Sequence, residues 1–135
     1  MENVRFQVWN KVRKEMMEDC DVYIASDGSV LAGDLNYDGE AGMIVDVTDN
    51  VDIMLSTGLK DKNGTEIYEG YIVEIQDHPL QIKGGIGIEI NGYYPVTYSR
   101  ENMAFYIGDW KTRDVIDCVE VVGNIYENAD LLKNK

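Results

Sequence analysis

The chain has 135 residues, 44% of them hydrophobic, which is enough for one domain with a core that needs neither disulfides nor a structural metal. Twelve Lys and Arg stand against 25 Asp and Glu, a formal charge of −13 that repels a phosphate backbone and disfavours direct nucleic-acid binding. Thirteen glycines, nine tyrosines and two prolines suit short strands and turns better than a helical bundle.

The opening residues, MENVRFQVWN, are too mixed for a signal peptide, and no apolar run reaches membrane-spanning length, so a cytoplasmic protein is expected. Cys20 and Cys118 then read as reduced, buried thiols. Val4, Phe6 and Val8 alternate with Arg5, Gln7 and Trp9 as in a first strand with two unlike faces. Lys11 to Asp19 is a short helical turn or a wide loop. Ser26-Asp27-Gly28-Ser29 joins CDVYIA to VLAG as a hairpin, and Met43–Val47 reads as a further strand before Thr48-Asp49-Asn50, which either caps a helical turn or breaks the sheet.

The centre of the chain is MLSTGLKDKNGTEIYEGYIVEI, from Met54 to Ile75. Asp61-Lys62-Asn63-Gly64 has the residues of a type I turn followed by a glycine for the left-handed position, and it predicts a hairpin of Ile53–Gly58 with Thr65–Tyr68. Glu69-Gly70 bends the chain again into the β-branched strand Tyr71–Ile75. Closely spaced bends of this kind curl small β-barrels.

Downstream, Gly84-Gly85 opens a strand of alternating Ile86, Ile88 and Ile90, Asn91-Gly92 is a two-residue hairpin signal, and Pro95 is expected to push the return strand Tyr93–Tyr98 to a sheet edge. Met103–Ile107 reads as a strand, Gly108–Asp114 as a charged loop, and Cys118–Tyr126 as the closing strand with a kink at Gly123. Asn128 caps a last helical turn over Ala129–Lys133.

Chemical motifs are sparse. Asp34-Leu35-Asn36-Tyr37-Asp38-Gly39 matches the first half of a calcium loop, but Val45 stands where the closing glutamate belongs, so an acidic turn is the better reading of Asp34, Asn36 and Asp38. His78 is the single histidine, no serine sits in a nucleophile elbow, and neither cysteine has a Cys-x-x-Cys partner. Gly84, Gly85 and Gly87 lack the Lys-Ser/Thr pair of a phosphate loop. Most of Tyr68, Tyr71, Tyr93, Tyr94, Tyr98 and Tyr106, with Trp110, fit core and half-buried sheet positions better than an exposed recognition face. No catalytic, metal or cofactor site is expected.

One resemblance covers nearly the whole chain. Thr57-Gly58-Leu59 with Asp61, Asn63 and Gly64, then Ile67-Tyr68-Glu69-Gly70 and Ile72-Val73, resembles the signature of the YopX family of phage and prophage proteins. Arg5–Asn10 resembles that family's opening strand, and Val121–Asn128 with Leu131-Leu132, containing Gly123, Asn124, Tyr126 and Glu127, resembles its closing segment. Tyr71 departs from it where an aspartate is usual, and Ala129 where a proline is common. The resemblance implies a small β-rich phage protein of unestablished activity.

These readings predict a mainly β fold, with an N-terminal hairpin layer over residues 1–50, a small SH3-like barrel over 51–127, and a short C-terminal helical turn within a unit ending at 135. The expected function is a non-enzymatic accessory protein of a phage-bearing bacterial host, working by contact with an unidentified protein partner and as a homo-oligomer, without membrane association. The alternative is a nucleic-acid- or nucleotide-binding barrel.

Overall fold

The computed structural model describes residues 5–17, 21–33, 44–78 and 90–132. They are mainly β, with curled sheets and short helical turns. The chain divides into two compact units, one of Arg5–Met54 and one that takes in the chain from Leu55 onward.

In the first unit, β1 (Phe6–Asn10) turns into β2 (Glu15–Met16), with Trp9 opposite Met16. The turn is built by Asn10, whose side-chain oxygen accepts the backbone N–H groups of Val12 and Arg13, an Asx turn that leaves Lys14 at φ 57°. The part of the expected helical turn or loop from Lys11 to Met16 is therefore the tip and return of a hairpin, and Glu18 and Asp19 lie outside the described residues. A second hairpin, β3 (Asp21–Ile24) and β4 (Val30–Gly33), pairs Tyr23 with Leu31, and β4 also pairs with the two-residue β5 (Val45–Asp46). Beyond β5 the Thr48 hydroxyl oxygen accepts the Val30 N–H at 2.9 Å while Asp46 accepts the Thr48 N–H at 2.9 Å. This clasp leads into the 3-10 turn Thr48–Asn50. Val8, Val30 and Val51 form the buried centre, with Phe6, Met17, Val22, Val47 and Ile53 packed around it, and Trp9 is buried.

The second unit takes the later part of β6 (Val51–Lys60), which pairs with β7 (Glu66–Tyr68). It also holds a five-stranded antiparallel sheet in the order β11-β10-β9-β8-β12, formed by β8 (Tyr71–Ile75), β9 (Gly92–Ser99), β10 (Ala104–Ile107), β11 (Trp110–Lys111) and β12 (Val119–Asn124). Alternation along β8 sends Val73 and Ile75 into a core shared with Ile67, Ile90, Val96, Ile107, Val115 and Val119, with Tyr94, Trp110 and Cys118 packed against it. Cys118 is a free thiol; Cys20 lies outside the described residues.

Pro95 is a correction. Its strand is not at an edge but in the middle of the sheet, between β8 and β10. The Pro95 carbonyl accepts the Gly108 N–H at 3.0 Å, so its imino side faces the point where β10 ends at Ile107 and the chain turns toward β11. The missing N–H thus falls beyond the ladder and costs no strand bond. The expected loop Gly108–Asp114 is likewise β11 followed by the one-turn helix α1 (Thr112–Val115), which is anchored by the buried Thr112 donating its hydroxyl to the Phe105 carbonyl at 2.7 Å. A 3-10 turn, Ile116–Cys118, then delays the closing strand to Val119. Another 3-10 turn covers Ala129–Leu132. The strand expected at Ile86–Ile90, apart from Ile90 itself, lies outside the described residues.

Ile107 is fully buried at the centre of this core. Ile107→Ala is expected to cost about 2–5 kcal/mol, read as a lowered urea midpoint at unchanged slope.

Candidate functional site

The residues of the central and closing motifs come together in space because β8 and β12 pair antiparallel, with Val73 opposite Val121, Ile72 opposite Gly123 and Tyr71 opposite Asn124. Val122 is extra in that register, so β12 carries a bulge immediately before Gly123.

Asp61 is the hinge of the cluster. The turn it begins closes with the Gly64 N–H on the Asp61 carbonyl at 3.0 Å and the Asp61 N–H on the Thr65 carbonyl at 2.9 Å, and Gly64 takes φ 86°, which a side chain resists. The Asp61 side chain is only 7% exposed. One carboxylate oxygen accepts the N–H groups of Asn63 at 2.9 Å and Thr65 at 2.8 Å; the other accepts the Val121 N–H at 2.8 Å. Two further bonds reach the same strand. The Lys62 N–H donates to the Val119 carbonyl at 3.2 Å, and the Asn63 amide donates to Glu120 at 3.1 Å. The turn therefore sits on the outer edge of β12. Burial, the largest influence on Asp61, pushes its pKa up, yet the three backbone donors and the Lys62 charge outweigh it and hold the carboxyl below its ordinary range.

Thr57, Gly58 and Leu59 form a second irregularity. Ser56 faces Tyr68 and Lys60 faces Glu66, so three residues of β6 oppose one of β7. Side-chain oxygens take over the interrupted ladder: Ser56 accepts the Gly58 N–H, Thr57 accepts the Leu59 N–H, and the Thr57 hydroxyl donates to the Ile67 carbonyl at 2.8 Å. Gly58 has φ 78°, and Leu59 is turned outward. Ile67, Ile72 and Val73 are core residues, and the Tyr68 and Tyr71 rings lie 5.4 Å apart, so Tyr71 occupies its unusual place by aromatic packing. The Glu69 N–H bonds the Leu55 carbonyl. The buried Gly70 bonds both sides, donating to Val96 at 2.9 Å and accepting from Ile125 at 2.8 Å.

The closing motif is a folded knot around two asparagines. The Asn124 side-chain oxygen accepts the N–H groups of Tyr126 and Glu127, at 2.9 and 2.8 Å, and its amide donates to the Glu127 carboxylate. Asn128 reaches back, its side-chain oxygen accepting the Asn124 N–H at 3.1 Å, while its carbonyl accepts the Leu131 N–H at 3.0 Å at the start of the turn that follows. This explains Gly123, since a Cβ there would overlap the Asn128 side chain, its Cγ lying only 2.6 Å away. The return of Asn128 spans only four residues, whereas the contacts with Val119 and Glu120 are long-range and left no local pattern in the sequence.

This cluster is built of backbone donors and their acceptors. Among the described residues no group of three His, Cys, Asp or Glu side chains is placed to hold a metal ion. His78 faces the Asp114 carbonyl at 3.2 Å. The half calcium loop at Asp34–Gly39 and the glycines Gly84, Gly85 and Gly87 lie outside the described residues.

The family described as YopX protein matches residues 5–133. The chain belongs to the YopX family. Among solved structures, YopX-family architecture is shared with protein EF1440 from Enterococcus faecalis, at TM-score 0.62 and 23% identity over 98% of this chain and 99% of that one. It is shared also with protein yopX from Bacillus subtilis, at TM-score 0.57 and 21% identity over 97% of this chain and 98% of that one. No curated protein matches the chain.

Two outcomes follow from this geometry. Asp61→Asn replaces one acceptor oxygen by a donor, leaving at least one buried N–H unpaired, and is expected to cost about 1–3 kcal/mol at neutral pH. Because the folded carboxyl titrates below its ordinary value, its contribution is complete above about pH 4 and lost as pH falls through the folded pKa, so urea melts should show the gap between parent and variant shrinking at pH 3. Gly123→Ala is expected to destabilise by about 1–3 kcal/mol through overpacking. In combination with Asn128→Ala it should cost less than the sum of the two single changes, since the second removes the atoms the new methyl strikes; thermal melts of the three variants close that cycle.

Proposed function

We propose that this YopX-family protein is a phage- or prophage-encoded accessory protein of a bacterial cytoplasm, acting by protein contact rather than by catalysis and assembling with copies of itself. The family motifs support this reading because their side chains are engaged in turns, bulges and core rather than set around a space where a reaction could occur. Its phage origin rests on the family resemblance alone.

The observation that carries the contact reading is a group of apolar side chains left outside on one part of a strongly acidic chain. Leu59 is 40% exposed, Tyr98 38% and Met103 80%, and the Tyr98 ring meets Phe105 edge-on at 5.1 Å. Single exposed apolar residues are ordinary, but Tyr98 stands opposite Phe105 in the β9–β10 pair, Met103 immediately precedes β10, and Leu59 lines a groove with Ala104 and Phe105. Met103 also holds φ 51° in the β9–β10 turn, an uncommon conformation for a residue with a long side chain. A chain of charge −13 repels its own copies, and apolar contact has to overcome that repulsion.

The Debye length shrinks from about 30 Å at 0.01 M salt to about 8 Å at physiological strength, so self-assembly is expected to strengthen as salt rises. Light scattering across a salt series measures this. A strictly monomeric mass at every salt concentration would sink self-assembly, and a mobility shift of DNA or RNA at physiological salt would favour a nucleic-acid partner instead.

A further inference from the structure

The same surface includes a groove of about 420 Å³ in the second unit, between the β6 bulge and the segment that links β11 to α1. Leu59, Phe105 and Tyr106 line it together with Lys111, Thr112 and Arg113. Its charged lining residues are both basic, in a chain whose carboxylates outnumber its cations 25 to 12. The fold sets the backbone positions of the two cations. Lys111 is fixed opposite Tyr106 by strand pairing, and Arg113 lies on the turn that Thr112 ties to the Phe105 carbonyl. Arg113 also has an exposed contact with Asp114 at 3.8 Å, a surface pair weak enough to exchange for another carboxylate.

We propose that this groove receives an acidic segment of a partner protein, with carboxylates on Lys111 and Arg113 and an apolar side chain against Leu59 and Phe105. The inference rests on the protein-contact reading and names the chemistry of the partner. Charge complementarity selects the acidic segment, because elsewhere the excess of negative charge on the chain repels such a peptide. The apolar wall selects a peptide over a bare anion, since Leu59 and Phe105 offer an anion nothing to bind.

The test is fluorescence anisotropy of a labelled synthetic peptide, Asp-Asp-Phe-Asp-Asp-Leu, titrated with the full chain. Binding is expected to fall at least tenfold in the Lys111→Glu, Arg113→Glu double variant, to fall severalfold in Leu59→Ser, and to weaken between 50 and 500 mM salt. All three positions are exposed, and far-UV circular dichroism checks that the variants fold. Failure of the peptide to bind the parent chain at millimolar concentration, equal binding by the double variant, or displacement by inorganic tripolyphosphate as effective as by unlabelled peptide would each overturn the assignment. Those readings are independent of light scattering, so self-assembly can stand while this site falls, and the reverse.

Discussion

A single carboxylate joins the central and closing motifs of the sequence. Asp61 accepts two N–H groups of its own turn and one from Val121, sixty residues later, and it is buried while doing so. A buried charge is stable only when its lone pairs are occupied, and here three backbone N–H groups occupy them. The turn and the β12 bulge therefore depend on each other. Without the turn, Val121 would lose its acceptor; without the bulged strand, half of the Asp61 carboxylate would face nothing.

Position explains why this matters. β12 is the last strand on its side of the five-stranded sheet, and its outward groups at Val119 and Val121 are met by Lys62 and Asp61. An open edge of that kind is a template for pairing with other chains, and the turn covers it. The long motif around Gly64 thus reads as an edge cover that also fixes register: Asn63 and Lys62 reach Glu120 and Val119, so a slip of one residue along β12 would break several contacts at once.

What the sequence made legible was local. The Asp61–Gly64 turn, the bend at Gly70 and the β-branched Tyr71–Ile75 strand all announce themselves through neighbouring residues, because turn chemistry and side-chain alternation act over a few positions. The mainly β class follows from the same signals. Pro95 misled because the rule about proline and edges concerns the missing N–H, and what decides that is where the neighbouring strand stops, a fact residing in Ile107 and Gly108. Helix α1 was hidden because Lys111–Asp114 has no helical pattern of its own, and Thr112 secures it through a bond to Phe105. The same dependence hid the groove: Leu59 and Arg113 are far apart in the chain, and their proximity follows from the sheet.

The covered edge also limits how the protein can meet a partner. Strand addition at β12 would have to displace the bonds of Asp61, Lys62 and Asn63, among them one to a buried carboxylate, and leaving that carboxylate short of a donor opposes the gain in new ladder bonds. The opposite end of the same sheet is β11, only two residues long before the chain enters α1, which is too short to hold an added strand by backbone bonds alone. Within this sheet, then, association by side chains has the advantage over association by strand pairing. The exposed Tyr98 and Met103 and the cations Lys111 and Arg113 belong to the chain from β9 to α1, while the exposed Leu59 comes from β6, just before the Asp61 turn. The bonds that secure the edge run through Asp61, Lys62 and Asn63, whereas Leu59 of the same motif is turned outward, so one motif supplies both the edge cover and an exposed apolar side chain.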